Sequence, residues 1–198
     1  MIIVRYSLIC LVLLHNLNCN SQSKSSSSKY FAKEKINCDF ANSSQSSYYK
    51  IEFIKEGKPL FPCSYFFEFK DYKEVEKIKM IQELLKYEGD TSLCAVKINC
   101  YNPKRSQTVP KGIEYYSMQV EALFIINHII LSDPYSYSSF PILRDKGAYN
   151  IETIKGELIK EAFVLYKNWL EKVKKEGLST TIRKKILPLG NESNVFWY

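Results

Sequence analysis

The segment IEYYSMQVEALFIINHIIL, from Ile113 to Leu131, is the most apolar part of the chain beyond its N-terminus. Its apolar residues point nearly all round a helix, which is typical of a helix buried in a protein core. Four polar residues interrupt the stretch and distinguish it from a membrane span: Gln119, Glu121, Asn127 and His128. We therefore predict a central buried helix over 113–131.

Two amphipathic helices are predicted on either side of this segment. The first opens at Asp71, which with Glu74 resembles a capping box, and it ends at Gly89. Its apolar positions are Val75, Ile78, Ile81 and Leu85. The second runs from Asn150 to Lys175, and its apolar stripe recurs every three or four residues: Ile151, Ile154, Leu158, Ala162, Leu165, Trp169 and Val173. A short helix over Thr180–Ile186 follows.

The N-terminal half has strand character instead. The stretches Lys35–Phe40, Tyr48–Ile54 and Ser64–Lys70 are short and rich in aromatic and β-branched residues, and turn residues separate them, which predicts an antiparallel meander. Leu93–Ile98 is a fourth candidate strand. With 198 residues, 45% of them hydrophobic, the chain is long enough for one core. We predict an α+β fold in which a small N-terminal antiparallel sheet packs on a helical C-terminal half with three main helices.

The first residues have the layout of an export signal. Met1–Leu14 (MIIVRYSLICLVLL) places one cation, Arg5, before an apolar run that is shorter than the ~20 residues needed to span a bilayer. We predict that residues 1–21 are a signal peptide, that residues 22–34 are a Ser-rich flexible linker, and that residues 35–198 form a single α+β domain.

An alternative end of the signal lies at Cys19. The sequence Asn18-Cys19-Asn20-Ser21-Gln22 resembles the lipid-attachment region of bacterial lipoproteins. This resemblance covers only the signal region, and it implies cleavage before Cys19 and acylation of its thiol. A lipid on Cys19 would be the only contact with a membrane that we expect.

Four cysteines remain after residue 21: Cys38, Cys63, Cys94 and Cys100. An even number in an exported chain favours disulfides. The short separation of Cys94 and Cys100 suits a hairpin clip, which leaves Cys38 to pair with Cys63; four reduced, buried cysteines are the alternative. Because the chain has no CxxC pair and one histidine remains beyond the signal, we predict no metal site.

The chain lacks a recognisable catalytic motif. Ser117, Glu121 and His128 fall on one side of the central helix, but its rise places Ser117 about 16 Å and Glu121 about 10 Å from His128, beyond hydrogen-bond reach. The seven glycines form no phosphate-binding loop. We predict no catalytic residue and no cofactor. The alternative is an envelope glycan hydrolase that uses Glu68 or Glu121, or the pair Glu68 and Asp71.

Two features point to a binding surface. Tyrosine and tryptophan are enriched in interface hot spots, and we predict partner contacts by five aromatic residues: Tyr135, Tyr137, Phe140, Trp197 and Tyr198. The alternative is that they pack in a tyrosine-rich core. Basic residues exceed acidic ones over 157–185, although much of this stretch reads as an ordinary solvated helix face. This balance favours an acidic partner, and nothing in the sequence indicates nucleic-acid binding.

These observations favour one class of function. We expect an exported, non-enzymatic protein of the periplasm, the cell envelope or the extracellular medium that acts by binding another protein, as immunity proteins and inhibitors do. The alternatives are the glycan hydrolase named above and a lipid-anchored structural component of the envelope.

Overall fold

A computed structural model describes residues 30–36, 47–60, 69–95, 115–147, 156–190 and 193–198. The strands are β1 (Phe31–Ile36), β2 (Tyr48–Lys55), β3 (Lys58–Leu60), β4 (Leu93–Cys94), β5 (Leu143–Asp145) and β6 (Val195–Trp197). The helices are α1 (Glu74–Leu84), α2 (Met118–Ile130), α3 (Gly156–Glu176) and α4 (Leu178–Arg183). The predicted α+β fold, with its sheet in the N-terminal half and its helices in the C-terminal half, is confirmed.

The central helix α2 is buried along its whole length, since none of its thirteen residues is more than 8% exposed. It begins at Met118, five residues later than predicted. The residues before it are extended instead: the Cys94 N–H donates to the Tyr116 carbonyl (2.8 Å), and the Met118 N–H donates to the Ser92 carbonyl (2.9 Å). The local apolar pattern continues through this junction, so the sequence did not show where strand-like pairing replaces the helix.

The N-terminal sheet is centred on β2. β1 pairs with it in antiparallel register, Phe31 opposite Phe53, and the buried side chains of Phe31, Ile51 and Phe53 face the core. β3 is also antiparallel to β2, whereas β4 is parallel to it, so the sheet is mixed and not purely antiparallel. β1 starts at Phe31, which corrects the predicted linker: residues 31–34 are strand, because the buried Phe31 ring ties them to the core.

The helix boundaries also differ from the predictions. α1 begins after Lys73, whose N–H donates to Glu76 Oε2 (3.0 Å), so the predicted Asp71–Glu74 box is displaced by two residues. Its buried face is formed by Met80, Ile81 and Leu84, and Val75 is 57% exposed. The buried stripe of α3 is rotated about the helix axis relative to the predicted one. It comprises Ile159, Ala162, Phe163, Tyr166, Trp169, Leu170 and Val173. The predicted cap Asn150 lies outside the described residues.

A second, two-stranded sheet was not predicted. β5 and β6 pair antiparallel, Leu143 opposite Trp197, and this pairing brings the C-terminal residues against the loop that follows α2. The Tyr198 N–H donates to the Ile142 carbonyl (3.0 Å), and the Tyr198 carbonyl accepts from Ser139 N–H (2.8 Å). Within the described part of the chain, no helix is both long and apolar enough to cross a bilayer.

Candidate functional site

A cleft of about 430 Å³ opens where the beginning of α1, the C-terminal end of α2 and α4 meet. We call it the α1–α4 cleft. Its buried floor is apolar and is formed by Phe69, Ile129 and Ile130, with the half-buried Ile182 beside them. Exposed hydroxyl groups of Ser132 and Ser179 stand at its rim. The cleft therefore combines apolar surface with polar groups, as ligand-binding sites generally do.

The charged side chains of the cleft are all cationic. Lys70 and Arg183 are exposed at the rim, Lys77 is half-buried, and no carboxylate occurs among the described residues that line the cleft. Burial lowers the pKa of Lys77, and the nearby Asp71 carboxylate partly offsets this effect. The cleft thus presents positive charge next to apolar surface.

The position of α4 is fixed by a carboxylate from α1. The Glu74 carboxylate accepts hydrogen bonds from the Leu178 N–H (2.5 Å) and from the Ser179 hydroxyl (2.9 Å) and N–H (3.3 Å). Burial raises the pKa of Glu74, but these bonds outweigh that effect and lower it below its ordinary value. Because Ser179, Ile182 and Arg183 belong to α4, the Glu74 contact places one wall of the cleft.

His128 lines the inner end of the cleft and is 2% exposed. Its ring lies edge-on to Phe124 and Tyr135, with centroid separations of 4.8 and 5.3 Å. Burial lowers the pKa of His128 from 6.5 to about 3, so its imidazole is neutral at physiological pH. His128 therefore adds no charge to the cleft.

Among the described residues, the structure does not bring the candidate catalytic groups Glu121 and His128 together, and the pair Glu68 and Asp71 stays untested. Glu121 is fully buried and accepts a hydrogen bond from the Tyr116 hydroxyl (2.8 Å), so it cannot contact a polysaccharide. α2 is continuous from Glu121 to His128, and its rise keeps the two side chains apart as predicted. Asp71 is exposed, and Glu68 lies outside the described residues.

The five aromatic residues predicted to contact a partner are brought together around the C-terminus, but two of them belong to the core. Phe140 is 2% and Trp197 is 5% exposed: the Trp197 ring packs against Phe124 of α2 and its indole bonds to Tyr166 of α3, while Phe140 packs against Tyr198. This corrects the predicted contact surface, from which Phe140 and Trp197 are removed. Tyr135, Tyr137 and Tyr198 are half-buried, and Tyr137 exchanges hydrogen bonds with the backbone of Leu189.

A chain of buried hydrogen bonds lies on the other side of α2. The Trp197 indole donates to the Tyr166 hydroxyl (2.8 Å), which donates to Asn127 Oδ1 (2.6 Å), and Asn127 Nδ2 donates to the Ser138 hydroxyl (3.1 Å). We call these four residues the Asn127 network. Burial raises the pKa of Tyr166 far above its ordinary value, so its hydroxyl stays protonated and able to donate.

Several basic residues on α3 and just after α4 have carboxylate neighbours. Ion pairs join Lys167 to Glu88 (2.5 Å), Lys174 to Glu171 (2.6 Å) and Lys184 to Glu176 (2.9 Å). These exposed pairs agree with the expected solvated helix face. Among the described residues Arg183 forms no ion pair with a carboxylate, and neither do Lys160 and Lys175, but Arg183 alone of these three lines the cleft.

The predicted disulfides and lipidation site stay predictions. Cys94 is buried, but Cys100, Cys38, Cys63 and Cys19 lie outside the described residues. No group of three metal-ligating side chains occurs in the described ranges.

Sequence reasoning missed Lys70, Lys77, Ser179 and Ile182 as cleft residues. The cleft is assembled from segments that are far apart in the chain, so no local pattern marks it.

The comparisons with known proteins identify no relative of this chain. No family model matches it, and no significant match is found among curated proteins or solved structures.

Proposed function

We propose that this chain is an exported, non-catalytic protein that acts by binding another protein, as immunity proteins and inhibitors do, and that the α1–α4 cleft is its docking site. The observation that carries the proposal is the combination of half-buried apolar side chains, Leu131 and Ile182, with an exposed cationic rim in one concave surface. Such a surface offers desolvated contact area at its centre and polar specificity at its edge, the usual anatomy of an interface.

Two details of the cleft support docking of a protein segment. Its volume of about 430 Å³ is in the range of sites that hold a small ligand or a few side chains. Its α4 wall is held by the Glu74 hydrogen bonds, so the site exists before the partner arrives. Preorganisation of this kind reduces the entropy lost on binding.

Photo-crosslinking tests the docking site. A photoreactive residue at Ser132, on the rim, should give a discrete crosslinked protein in an envelope extract of the producing cells. The same residue at Lys160, exposed on α3 away from the cleft, serves as the control. Excess wild-type chain should compete with the crosslink, and the purified partner should reproduce it. Identical products from both positions would refute the proposal.

The export part of the proposal rests on the layout of Met1–Leu14. Its test is the intact mass of the protein isolated from its producing cells. Loss of residues 1–21, or cleavage before Cys19 with added acyl chains, would support export. A protein that still begins at Met1 would contradict it.

A further inference from the structure

We propose that the α1–α4 cleft recognises an acidic and apolar segment of its protein partner, in which a carboxylate pairs with Arg183 and Lys77 while a neighbouring apolar side chain covers Leu131 and Ile182. This inference rests on the proposed function and specifies the chemistry of the partner. Two separate features of the cleft support it, the positive charge and the apolar surface.

The cationic rim selects for a carboxylate. Arg183 offers a planar donor fork that suits a carboxylate, and no ion pair occupies it among the described residues. Lys77 is half-buried, so burial already disfavours its charged form. The nearby Asp71 carboxylate offsets this effect only in part, so a bound anion would further stabilise that ammonium group, and this gives the site a reason to prefer a charged ligand over a neutral one.

The apolar surface of the cleft restricts the class of ligand further. Phe69, Ile129 and Ile130 form a floor that is already buried, whereas Leu131 and Ile182 line the cleft and are only half-buried, so a ligand gains from covering these two with an apolar side chain. Nucleic-acid binding relies on many phosphate contacts along a strand, whereas this site presents three cations around apolar surface. A segment that alternates carboxylates and aliphatic side chains matches both features.

Synthetic peptides test this chemistry. The probe is Ac-GELLEG-NH2, and two matched peptides each remove one feature: Ac-GQLLQG-NH2 lacks the carboxylates and Ac-GEAAEG-NH2 lacks the aliphatic side chains. Isothermal titration calorimetry of the full chain at low salt should show saturable binding of the first peptide. Each matched peptide should bind about tenfold more weakly, because it loses either the charged pairs or the buried contact.

Charge reversals in the protein locate the site. Arg183→Glu should weaken binding of Ac-GELLEG-NH2 by about tenfold or more. Lys160→Glu changes the net charge by the same amount on an exposed part of α3 and should leave the affinity within about twofold. Arg183→Gln, which removes the charge without reversing it, replaces Arg183→Glu if that variant melts at a lower temperature than the wild type.

The outcomes separate the two proposals. Equal binding of the three peptides, or equal effects of Arg183→Glu and Lys160→Glu, would overturn the acidic and apolar chemistry even if the Ser132 crosslink succeeds. Strong binding to vesicles of phosphatidylserine and phosphatidylcholine without peptide selectivity would overturn it in favour of a membrane surface. Selective peptide binding that Arg183→Glu abolishes supports it, whether or not an endogenous partner has been captured.

Discussion

Asn127 and His128 are neighbours in α2, yet they border two different regions. Asn127 belongs to a fully buried hydrogen-bond network in which Tyr166, Trp197 and Ser138 bond to one another or to Asn127. His128 borders the α1–α4 cleft, where cationic side chains lie beside an apolar floor. One wall of this cleft is α4, and the Glu74 carboxylate of α1 holds it in place. The comparison teaches that polar groups in the first region bond to one another and serve the fold, whereas those in the second border an open cleft, where we propose that a partner binds.

The largest effect is expected in the Asn127 network. Asn127→Ala should lower the free energy of unfolding by about 3 kcal/mol, because it leaves the Tyr166 hydroxyl buried without its acceptor and opens a small cavity. Urea denaturation measures this change. Asn168→Ala, on the exposed face of α3, is the control and should cost less than about 0.5 kcal/mol. Similar losses for the two variants would show that the network does not serve the fold.

The pH dependence of stability should show that His128 is neutral in the folded protein. The folded chain binds the His128 proton only near pH 3, whereas the unfolded chain binds it near pH 6.5, so the unfolded state holds more protons between these values. Stability should therefore fall as the pH drops, by about 2 kcal/mol between pH 6.5 and 4.5. His128→Phe should remove this loss while keeping a ring against Phe124 and Tyr135. An unchanged pH profile in the variant would contradict a buried, neutral histidine.

The Glu74 contact should have a smaller effect on stability and a clear effect on the cleft. Glu74→Ala removes the acceptor for two backbone N–H groups and one hydroxyl of α4 and should cost about 1 kcal/mol. It should also weaken peptide binding, because α4 carries Arg183. Glu161→Ala, exposed on α3, is the matched control for thermal denaturation and calorimetry. Peptide affinity equal to that of the control would show that Glu74 does not position the cleft.

The smallest stability effect is expected for Arg183 itself. Arg183→Ala removes an exposed side chain and should change the free energy of unfolding by less than about 0.5 kcal/mol. The same variant should lose most of its affinity for Ac-GELLEG-NH2. Arg183→Ala should thus lower peptide affinity with little effect on stability, in contrast to Asn127→Ala. An Arg183→Ala variant that is less stable than the wild type but still binds the peptide would contradict the proposed role of Arg183.

The fold was largely predictable because α2 is apolar all round and the β2 stretch is rich in β-branched and aromatic residues. Boundaries were less predictable where pairing between distant segments sets them. α2 starts at Met118 because Tyr116 pairs with Cys94, and β1 starts at Phe31 because its ring packs opposite Phe53. Nothing within either segment encodes these partners, so local patterns placed both boundaries a few residues away.

The candidate site was hardly predictable at all. Arg183 was noticed only as one of several basic residues, and Lys77 had no distinguishing neighbours in the sequence. Glu74 was expected to cap its own helix but instead bonds to α4, about a hundred residues later. Two of the aromatic residues that looked suited to an interface, Phe140 and Trp197, are buried in the core instead.

The most direct test of the account is methyl NMR of isoleucine-labelled protein during titration with Ac-GELLEG-NH2. The methyl signals of Ile129, Ile130 and Ile182, which line the cleft, should move saturably with a common affinity. The signals of Ile51, Ile81 and Ile142, buried elsewhere in the core, should stay in place. A peptide that leaves the cleft methyls unmoved, or that shifts the core methyls equally, would contradict the assignment of this cleft as the site where the protein meets its partner.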